Sequence, residues 1–458
     1  MKLLYKLKCK IRDTVIIEFP NSVEQIVIFL ACWISQMTVI PISPKTPSDL
    51  KEYKIRKAQA NKTISKENIS LELLAEVNVS TAYKKIVNDI LDKLAVSNDN
   101  IQLILFTSGT TAYPKGAQLS LNNLFANAEG IIDWFSLSES DRFFITLPLH
   151  HINGITSFVA TLISGGTIIL LNKYTRSKFF SYAIKNNATT SSIIPLIASD
   201  LLRVNISNES INFIKKNHTF KGIQIGSSPV NPDVVINFYN TFTVKLFQAF
   251  GNTETSMRST GIDVNIKEKE YLRLVKLNTI GHELKYTNVI ILNNKGEPVG
   301  TDILGEICVR GPIIMKGYIN NKHKTLQAFK FGWFHTGDYG FWKIINDKKY
   351  FFTKGRIDEI INKGGIKISP LAIEQKILKS IINLVDTIVV GLPDERYGEI
   401  IGAVLVWKDG VEHIIPSEIE GLIPYEQPSK YISLSKSNIQ RTFTGKIKRS
   451  SLKDYFVE

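Results

Sequence analysis

Short apolar runs alternate with segments of helical periodicity through the first half of the chain, a pattern that predicts an α/β fold. Thr14 to Phe19 reads TVIIEF and residues 37–42 read MTVIPI, and both runs are typical of buried strands. The segment between them predicts a helix capped by Asn21 or Ser22. The same alternation of strand and helix recurs further along the chain, in residues 165–171, 188–202 and 221–239.

The pattern changes at Gly305 to short strands separated by glycine turns, which predicts an antiparallel β subdomain. Beyond residue 359 both periodicities return. Residues 361–378 predict a strand, a glycine pair and a helix, and residues 386–407 predict two strands around a loop. We therefore expect a large N-terminal domain of α/β subdomains plus a β subdomain, followed by a small α+β C-terminal domain.

The stretch from Ile101 to Gln118, IQLILFTSGTTAYPKGAQ, joins a buried strand to a loop rich in glycine and hydroxyl residues, and a helix is predicted over residues 119–135. Glycines let backbone N–H groups face a phosphate, hydroxyls donate to its oxygens, and Lys115 adds a positive charge. A plain connecting loop is the alternative interpretation. The P-loop of kinases and ATPases is excluded because Gly116, rather than Ser or Thr, follows the lysine.

This string resembles the phosphate loop of the acyl-adenylate-forming superfamily, which comprises acyl-CoA synthetases, peptide-synthetase adenylation domains and luciferases. Ala112 stands where that family usually has glycine. The resemblance implies that the protein binds ATP. It also implies that the polyphosphate contacts Thr107, Ser108, Gly109, Thr110, Thr111 and Lys115.

Residues 250–254, FGNTE, resemble a second motif of the same family, Tyr-Gly-x-Thr-Glu, with Phe250 in place of the tyrosine. An aromatic ring stacks on adenine, a hydroxyl reaches a phosphate, and a carboxylate holds a hard cation. The resemblance therefore implies a catalytic role and Mg²⁺ binding for Glu254. It implies ATP contacts for Phe250, Gly251, Asn252 and Thr253. Without the family, FGNTE predicts a capped loop with a solvated glutamate.

Asp338 follows His-Thr-Gly and Arg356 follows Lys-Gly, positions at which turn residues are common. In the family the matching carboxylate and guanidinium bind the ribose hydroxyls of ATP. This binding needs a hydrogen-bond acceptor and a cationic donor. The resemblance also makes Asp358 a hinge. It divides the chain into an AMP-binding domain over residues 1–354, a hinge at 355–359 and a small mobile domain over 360–458.

The motif LPLHHING, residues 147–154, places two histidines at the end of a predicted strand, where α/β sheets hold ligand sites. In acyl- and aryl-CoA synthetases a residue of this motif lines the carboxylate pocket, which implies a catalytic-site position for His151 with His150 beside it. Amino-acid-activating relatives carry an aspartate in this region, and none is visible, so an α-amino acid substrate is disfavoured. In the family a small-residue turn borders the acyl pocket, here Gly226, Ser227 and Ser228.

Two further motifs lie in the C-terminal domain. The segment RTFTGKIKR carries Lys446, which by itself is typical of a solvated lysine. The family's matching lysine bridges the substrate carboxylate and the α-phosphate during adenylation, which implies that Lys446 is the principal catalytic charge. In CoA ligases the loop matching Gly364 and Gly365 lines the pantetheine tunnel.

The composition of the chain limits which partners, metal sites and cellular locations we expect. The 458 residues carry a net charge of +14, but the lysines are spread along the chain and no zinc-finger, RRM or KH pattern occurs, so we expect no nucleic-acid partner. Three scattered cysteines indicate neither a zinc site nor a disulfide framework. The apolar segment at residues 26–34 is too short to span a bilayer, and no signal peptide is recognisable, so we expect a cytoplasmic protein without an integral membrane segment.

Three functional hypotheses follow. The leading one is an AMP-forming acyl- or aryl-CoA synthetase that uses ATP, Mg²⁺ and CoA to activate a small-molecule carboxylic acid. The second is a stand-alone adenylating enzyme that loads an acyl carrier protein. The third is a nucleotide-binding relative without turnover, suggested by the short N-terminus and by Ala112. The sequence does not identify the acid.

Overall fold

A mostly parallel sheet begins the fold. The computed structural model describes residues 4, 7–68, 100–107, 114–203, 207–441 and 447–456. In the first sheet β1, β2, β3 and β4 are parallel, and β5 closes an antiparallel hairpin with β4. The elements of this part are β1 (Thr14–Glu18), α1 (Val23–Ile34), β2 (Thr38–Ile42), α2 (Ser48–Ala58), β3 (Lys62–Ser65), β4 (Ile101–Thr107), β5 (Lys115–Ser120) and α3 (Leu121–Phe135).

The predicted strands on either side of α1 are confirmed, and Ser22 caps the helix by accepting from the backbone N–H of Gln25 at 3.3 Å. The segment after the phosphate loop differs from the prediction. Residues 115–120 form β5, and the helix begins at Leu121 rather than at Leu119. The physical reason is that Ala117 and Leu119 are buried on one face of β5, while Ser120 caps α3.

A second sheet follows in which β6, β7, β8, β9 and β10 are parallel, so their carboxyl ends lie along one edge. The strand predicted to end in LPLHHING ends earlier, at Ile145. The elements are β6 (Arg142–Ile145), α4 (Ile152–Ile163), β7 (Thr167–Leu170), α5 (Phe179–Lys185), β8 (Thr190–Ile193), α6 (Pro195–Leu202), α7 (Asn208–Asn217), β9 (Gly222–Ile225), α8 (Pro232–Phe242), β10 (Leu246–Phe250), β11 (Thr260–Gly261), α9 (Glu268–Leu277) and β12 (His282–Glu283).

Helices α1 and α4 join these two sheets into one apolar core. Trp33 of α1 stacks on Phe158 of α4 with ring centroids 5.9 Å apart, and Phe29 packs against both rings. All three side chains are almost completely buried, so the core fixes the two sheet edges relative to each other.

The predicted β subdomain is an antiparallel sheet in the order β13, β14, β16, β17. It begins before Gly305, at Asn288. A short strand from the same region, β15, pairs instead with β5 of the first sheet and so connects the subdomains. The elements are β13 (Asn288–Leu292), β14 (Gly305–Arg310), β15 (Gly317–Tyr318), α10 (Lys322–Ala328), β16 (Phe334–Ile345) and β17 (Lys348–Arg356).

The last part of the chain has its own apolar clusters, one on each face of the β20–β21 pair, and these clusters draw their described members only from residues 361–456. The buried core therefore changes between Phe352 and Ile361. Among the helices of the described ranges, none combines the length and apolarity needed to cross a bilayer. The elements are β18 (Ile361–Lys363), β19 (Ile366–Ile368), α11 (Pro370–Ser380), β20 (Leu384–Asp394), β21 (Gly398–Trp407) and β22 (Lys430–Ser433).

Candidate active site

The β4–β5 hairpin delivers Lys115 to a cavity of about 700 Å³, which we call the lysine cavity. Thr107 and Lys115 face each other at the base of the hairpin, and the Thr107 hydroxyl donates to the carbonyl oxygen of Lys115 at 3.3 Å. The cavity is dominated by cations because Lys57, Lys324 and Arg356 also line it. A cavity of this charge suits a polyphosphate.

Tyr318 connects Lys115 to Glu254. Pairing of β15 with β5 brings the Tyr318 ring under the Lys115 ammonium, 4.6 Å from Nζ to the centroid, and the Tyr318 hydroxyl donates to Glu254 Oε1 at 2.9 Å. Burial lowers the pKa of Lys115, while Glu254 partly offsets that effect. Burial, and then Glu254, raises the pKa of Tyr318, which keeps the phenol protonated as a donor. Tyr318 was not singled out from the sequence.

The FGNTE segment forms a tight loop at the carboxyl end of β10. Asn252 caps a single helical turn, accepting from the N–H of Thr255 at 3.0 Å, and the N–H of Met315 donates to the Glu254 carbonyl at 2.8 Å. A side chain at Gly251 would place its Cβ 1.6 Å from the Met257 carbonyl oxygen, so only glycine allows this close approach. The loop therefore holds Glu254 next to Tyr318.

Phe250 and Thr253 flank this loop. Phe250 is half-buried and packs against the apolar cluster of the antiparallel sheet, which includes Ile280 and Phe351. Thr253 begins the helical turn and is half-buried. Stacking of Phe250 on adenine stays a prediction.

Asp338 and Arg356 meet across the β16–β17 ladder, and Arg356 also lines the lysine cavity. Arg356 Nη1 donates to the Thr336 carbonyl at 2.7 Å and lies 3.7 Å from Asp338 Oδ2, while its Nε lies 3.4 Å from Asp358 Oδ1. Burial alone would lower the pKa of Arg356, but Asp338 and Asp358 outweigh that effect and raise it. The pair thus places a carboxylate next to a permanent cation that shares the lysine cavity with Lys115.

A carboxylate that the sequence did not reveal supports the turn before Asp338. Glu306 lines the lysine cavity, accepts from the N–H of Gly337 at 2.9 Å and lies 2.7 Å from Nδ1 of His335. Cys308 Sγ is 3.5 Å from the same nitrogen, so Glu306, Cys308 and His335 have the spacing of a metal-ligand group. Burial, and then the charge of Glu306, raises the pKa of Cys308 and keeps the thiol protonated.

The two histidines line a separate cavity of about 950 Å³, the histidine cavity, at the carboxyl ends of β1, β2, β3, β6, β7 and β8. Asn21 holds this edge together. Its side chain donates to the carbonyls of Leu147 at 3.0 Å and Leu171 at 3.1 Å, and accepts from the N–H of Leu149 at 2.8 Å. Asn21 thus fixes the loop that carries the histidines, a role that its predicted capping position did not indicate.

Helix α2 lines the lysine cavity and places a charge near the histidines. Tyr53 and Lys57 line the lysine cavity, and the charge of Lys54 acts on the histidines. Burial lowers the pKa of His150 to about 3 and that of His151 to about 4, and the Lys54 charge adds to both shifts. Both imidazoles are therefore neutral at physiological pH. Burial lowers the pKa of Lys54 itself to about 8.

The other predicted acyl and CoA residues lie in turns. Gly226 packs closely on β10, whereas Ser227 and Ser228 are exposed, and of the described residues none of these three lines either cavity. Gly364 and Gly365 form the two-residue turn between β18 and β19 with φ of 58° and 86°. That hairpin requires left-handed residues, so its geometry accounts for the glycine pair without a ligand.

Lys446 and four residues of the phosphate loop, Ser108, Gly109, Thr110 and Thr111, lie outside the described residues. The ends of the segment that carries Lys446 are defined, because Arg441 and Ile447 face each other in an antiparallel bridge. Just beyond, Arg449 is buried between carboxylates. Its Nε lies 3.1 Å from Glu359 Oε2, its Nη2 lies 3.1 Å from Glu374 Oε2, and its Nη1 donates to the Val389 carbonyl at 2.9 Å. Arg449 therefore connects the end of the segment that carries Lys446 to Glu359, the residue after Asp358.

Known proteins are similar to this chain over most of its length. The sequence model of the family described as AMP-binding enzyme matches residues 2–319. The oxalate–CoA ligase of Arabidopsis thaliana is 29% identical over 474 aligned positions, covering 97% of this chain and 89% of that protein. The indoleacetate–CoA ligase of Aromatoleum aromaticum is 31% identical over 358 positions, covering 77% of this chain and 66% of that protein.

Among solved structures, the crystal structure of ATP-bound MatB from Rhodopseudomonas palustris superimposes with a TM-score of 0.82. The superposition covers 99% of this chain and 91% of the MatB chain, at 22% sequence identity. At that identity the similarity establishes the fold, which is the predicted one.

Proposed function

The chain belongs to the AMP-binding enzyme family of acyl-adenylate-forming CoA ligases, and from this membership we propose that the lysine cavity is where ATP and a carboxylic acid react. The overall reaction is ATP-dependent ligation of a carboxylic acid to CoA, with AMP and pyrophosphate as the other products. The assignment of individual residues to this reaction is our proposal.

One observation supports the proposal above all. Lys115, Arg356 and Asp358 line the same cavity although they come from different subdomains. Glu254 reaches Lys115 through Tyr318, and Asp338 reaches the cavity through Arg356. A phosphate-binding cation, a carboxylate for a metal and a ribose-binding pair are thus arranged around one space.

The first half-reaction needs positioning and charge neutralisation. A carboxylate oxygen of the acid attacks the α-phosphorus of ATP, the bond to the β-phosphate oxygen breaks, and acyl-AMP and pyrophosphate form. Negative charge spreads over the phosphate oxygens in the transition state, which Lys115 and Lys446 would stabilise. Asp338 and Arg356 would hold the ribose, and Phe250 would pack on the adenine.

Glu254 fits a magnesium ion. Its carboxylate is half-buried beside the Lys115 ammonium and accepts a hydrogen bond from the Tyr318 hydroxyl through Oε1. Mg²⁺ is commonly bound through one carboxylate together with substrate phosphates. A bound ion would neutralise phosphate charge there. Tyr318 would orient the carboxylate, a role that the phenol retains because it stays protonated.

The second half-reaction is thiolysis. The CoA sulfur attacks the acyl carbon, the bond from that carbon to the AMP oxygen breaks, and the thioester and AMP are released. We propose that the residues from 360 onward turn about Asp358 between the two steps, bringing Lys446 for adenylation and the Gly364–Gly365 turn for thiolysis. Separate apolar clusters on the two sides of residues 355–359 support this rotation.

The acyl group would extend toward the histidine cavity. His150 and His151 line it and are neutral, so they offer a hydrogen-bonding wall without charge. Transfer to an acyl carrier protein is the competing second step. For compartment, we propose the cytoplasm, supported by three cysteines that are all free thiols.

The direct test supplies ATP, Mg²⁺ and a panel of carboxylic acids, with CoA or with a phosphopantetheinyl carrier protein as the acceptor. We expect AMP, pyrophosphate and an acyl-CoA in equal amounts. Lys446→Ala should slow pyrophosphate release by orders of magnitude, as expected for a lost transition-state charge, while Lys448→Ala, an exposed neighbour, serves as the matched control. Release of ADP and phosphate would contradict the proposal. A thioester formed only on the carrier protein would show that the carrier, rather than CoA, is the acceptor.

A further inference from the structure

A fully buried arginine, Arg258, contacts helix α4 and strand β8 and has no role in the steps above. The Arg258 guanidinium donates to the hydroxyl of Thr156 at 2.9 Å, to Asn153 Oδ1 at 3.1 Å and to the hydroxyl of Ser192 at 3.1 Å. All three acceptors are neutral. In the described part of the chain, no carboxylate pairs with Arg258.

This arrangement is unusual because a buried cation is normally paired with an anion or with charged hydrogen-bond acceptors. Burial lowers the pKa of Arg258 to about 9, which still leaves the guanidinium cationic at neutral pH. Three neutral oxygens satisfy only part of its five N–H donors. The site therefore combines a fixed positive charge with spare donors.

Other buried polar groups around Arg258 also lack partners. Both side-chain amide atoms of Gln224 are buried without a hydrogen bond, as are the Ser259 hydroxyl and Asn127 Oδ1. Gln224 is 1% exposed and lies directly opposite Ser192 in the β8–β9 ladder, so its side chain projects on the same sheet face as the Arg258 partner. Unpaired buried amides are rare and indicate a missing ligand or water.

Two of the groups that hold Arg258 connect to the wall of the histidine cavity, although Arg258 itself does not line it. Asn153 comes two residues after His151, and Ser192 comes two residues before Ile194, which lines the histidine cavity. Thr146, another lining residue, donates to the Ser192 carbonyl at 3.5 Å. Arg258 itself follows Glu254 by four residues on the same loop. Through Ser192, the guanidinium is therefore one residue removed from the lining of the histidine cavity.

We propose that Arg258, with Gln224, recognises a second anionic group at the far end of the acyl substrate, so that the preferred acid is a dicarboxylate or a sulfonated carboxylate. This inference rests on the proposed function and names its substrate class. A planar guanidinium forms paired hydrogen bonds with carboxylate or sulfonate oxygens, and the Gln224 amide adds a donor. Arg258 acts here as a specificity residue, while the reacting carboxylate stays at the lysine cavity.

The competing interpretation is that Arg258 only connects α4, β8 and the FGNTE loop, with water molecules filling the remaining donors. The two interpretations differ in a measurable way. A structural arginine gives no discrimination between acids of equal size, whereas a binding arginine discriminates by charge.

The experiment measures kcat/KM for pyrophosphate release with matched acids: butanedioate, its monomethyl ester and butanoate, then propanedioate and propanoate, then sulfoacetate and acetate. We expect at least one anionic member to exceed its uncharged match by tenfold or more. Arg258→Met should lower that ratio to near one, and Arg258→Lys should retain part of it. The control is Arg142→Met, because Arg142 lies in β6, which pairs with the strand that carries Ser192, and it also donates to a neutral oxygen, the Asn186 carbonyl at 2.6 Å.

The comparison among acids with the unmodified protein needs no variant and stays decisive if Arg258→Met fails to fold. If every acid without the second anionic group is used as well as or better than its anionic counterpart, the inference is wrong, while the ligase function is unaffected. An unchanged ratio in a folded Arg258→Met variant also overturns it. Absence of AMP with every acid would contradict both the inference and the proposed function.

Discussion

Asp338 and Arg356 are direct partners in the β16–β17 ladder, with Arg356 Nη1 3.7 Å from Asp338 Oδ2. A hairpin thus brings together two residues 18 positions apart in sequence, and one of them, Arg356, lines the cavity that contains Lys115. Because antiparallel register determines this pairing, the proposed ribose-binding geometry would be built into the sheet and would not depend on a loop.

Asp338→Ala should weaken ATP binding without unfolding the sheet. The change removes an acceptor for ribose hydroxyls, while Arg356 retains Asp358 and the Thr336 carbonyl. A hydrogen bond to a charged group contributes about 1.5–3 kcal/mol, so KM for ATP should rise roughly 10- to 100-fold. Steady-state kinetics would measure this change, with Asp302→Ala on the exposed Lys343 pair as the control. An unaltered KM would remove Asp338 from the ATP site.

The neutral histidines predict a pH dependence of stability. Burial lowers the folded-state pKa of His150 to about 3 and of His151 to about 4, below the unfolded value of about 6.5. The unfolded chain therefore binds protons that the folded protein does not, so their contribution is complete above pH 6.5 and is lost as pH falls toward 4. Each histidine should contribute a slope of up to about 1.4 kcal/mol per pH unit in that window.

Urea unfolding at pH 5 and pH 7 would measure this slope. His151→Gln should reduce the difference in unfolding free energy between the two pH values, whereas His323→Gln, at an exposed position, should leave it unchanged. If His151→Gln loses as much stability on acidification as the unmodified protein, the imidazole is already protonated in the folded state.

The Arg449 cluster should stabilise the last part of the chain. Burial alone would lower the pKa of Arg449, but Glu374 and Glu359 outweigh that effect and raise it, so the guanidinium is a permanent partner for both carboxylates. Arg449→Met leaves Glu374 buried without its cation and should cost about 3–5 kcal/mol of unfolding free energy. Arg396→Met, at an exposed position, is the control.

A paired substitution sharpens that test. Arg449→Met combined with Glu374→Met replaces the ion pair with apolar groups and should recover much of the lost stability, because neither charge is then left unpaired. Calorimetry or denaturant titration would report both values. A loss below about 1 kcal/mol for Arg449→Met alone would show that the cluster is not a stabilising ion pair.

The hinge prediction concerns Asp358, which lies in a single helical turn over Ile357–Glu359. Proline restricts φ to about −65°, so Asp358→Pro should hold one orientation of the small domain and slow one half-reaction far more than the other. Single-turnover assays of acyl-AMP formation and of thiolysis separate the two. Asp358→Ala removes the Arg356 contact but keeps rotation free, and serves as the control. Full rates for both steps in Asp358→Pro would end the two-state model.

Local patterns predicted the order of the strands and helices well, because apolar periodicity and capping residues act over a few positions. The strand β5 was missed because KGAQLS carries a weak alternating pattern that becomes a strand only through pairing with β4. Family motifs singled out Lys115, Glu254, Asp338 and Arg356. Lys115 and Arg356 line one cavity, Glu254 contacts its lining residue Tyr318, and Asp338 pairs with Arg356, while the roles of all four stay predictions.

The residues that the sequence did not reveal act across long separations. Tyr318 contacts Glu254 across 64 positions, and Arg258 contacts Asn153 across 105. Glu306 supports Gly337 across 31. Periodicity carries no information about such pairs, since their meeting depends on how separate sheets dock. The turn of Gly226, Ser227 and Ser228 is not among the lining residues of either cavity, so its contact with an acyl group stays a prediction.

The account rests on attack of the acid's own oxygen on the α-phosphorus of ATP, and one isotope measurement tests that step directly. The protein is incubated with ATP, Mg²⁺, CoA and an accepted acid whose carboxylate carries ¹⁸O at both oxygens, and the nucleotide products are analysed by mass spectrometry. Adenylation followed by thiolysis predicts that each AMP gains one ¹⁸O atom and that pyrophosphate gains none. Label in inorganic phosphate with formation of ADP, or AMP without ¹⁸O, would contradict the account.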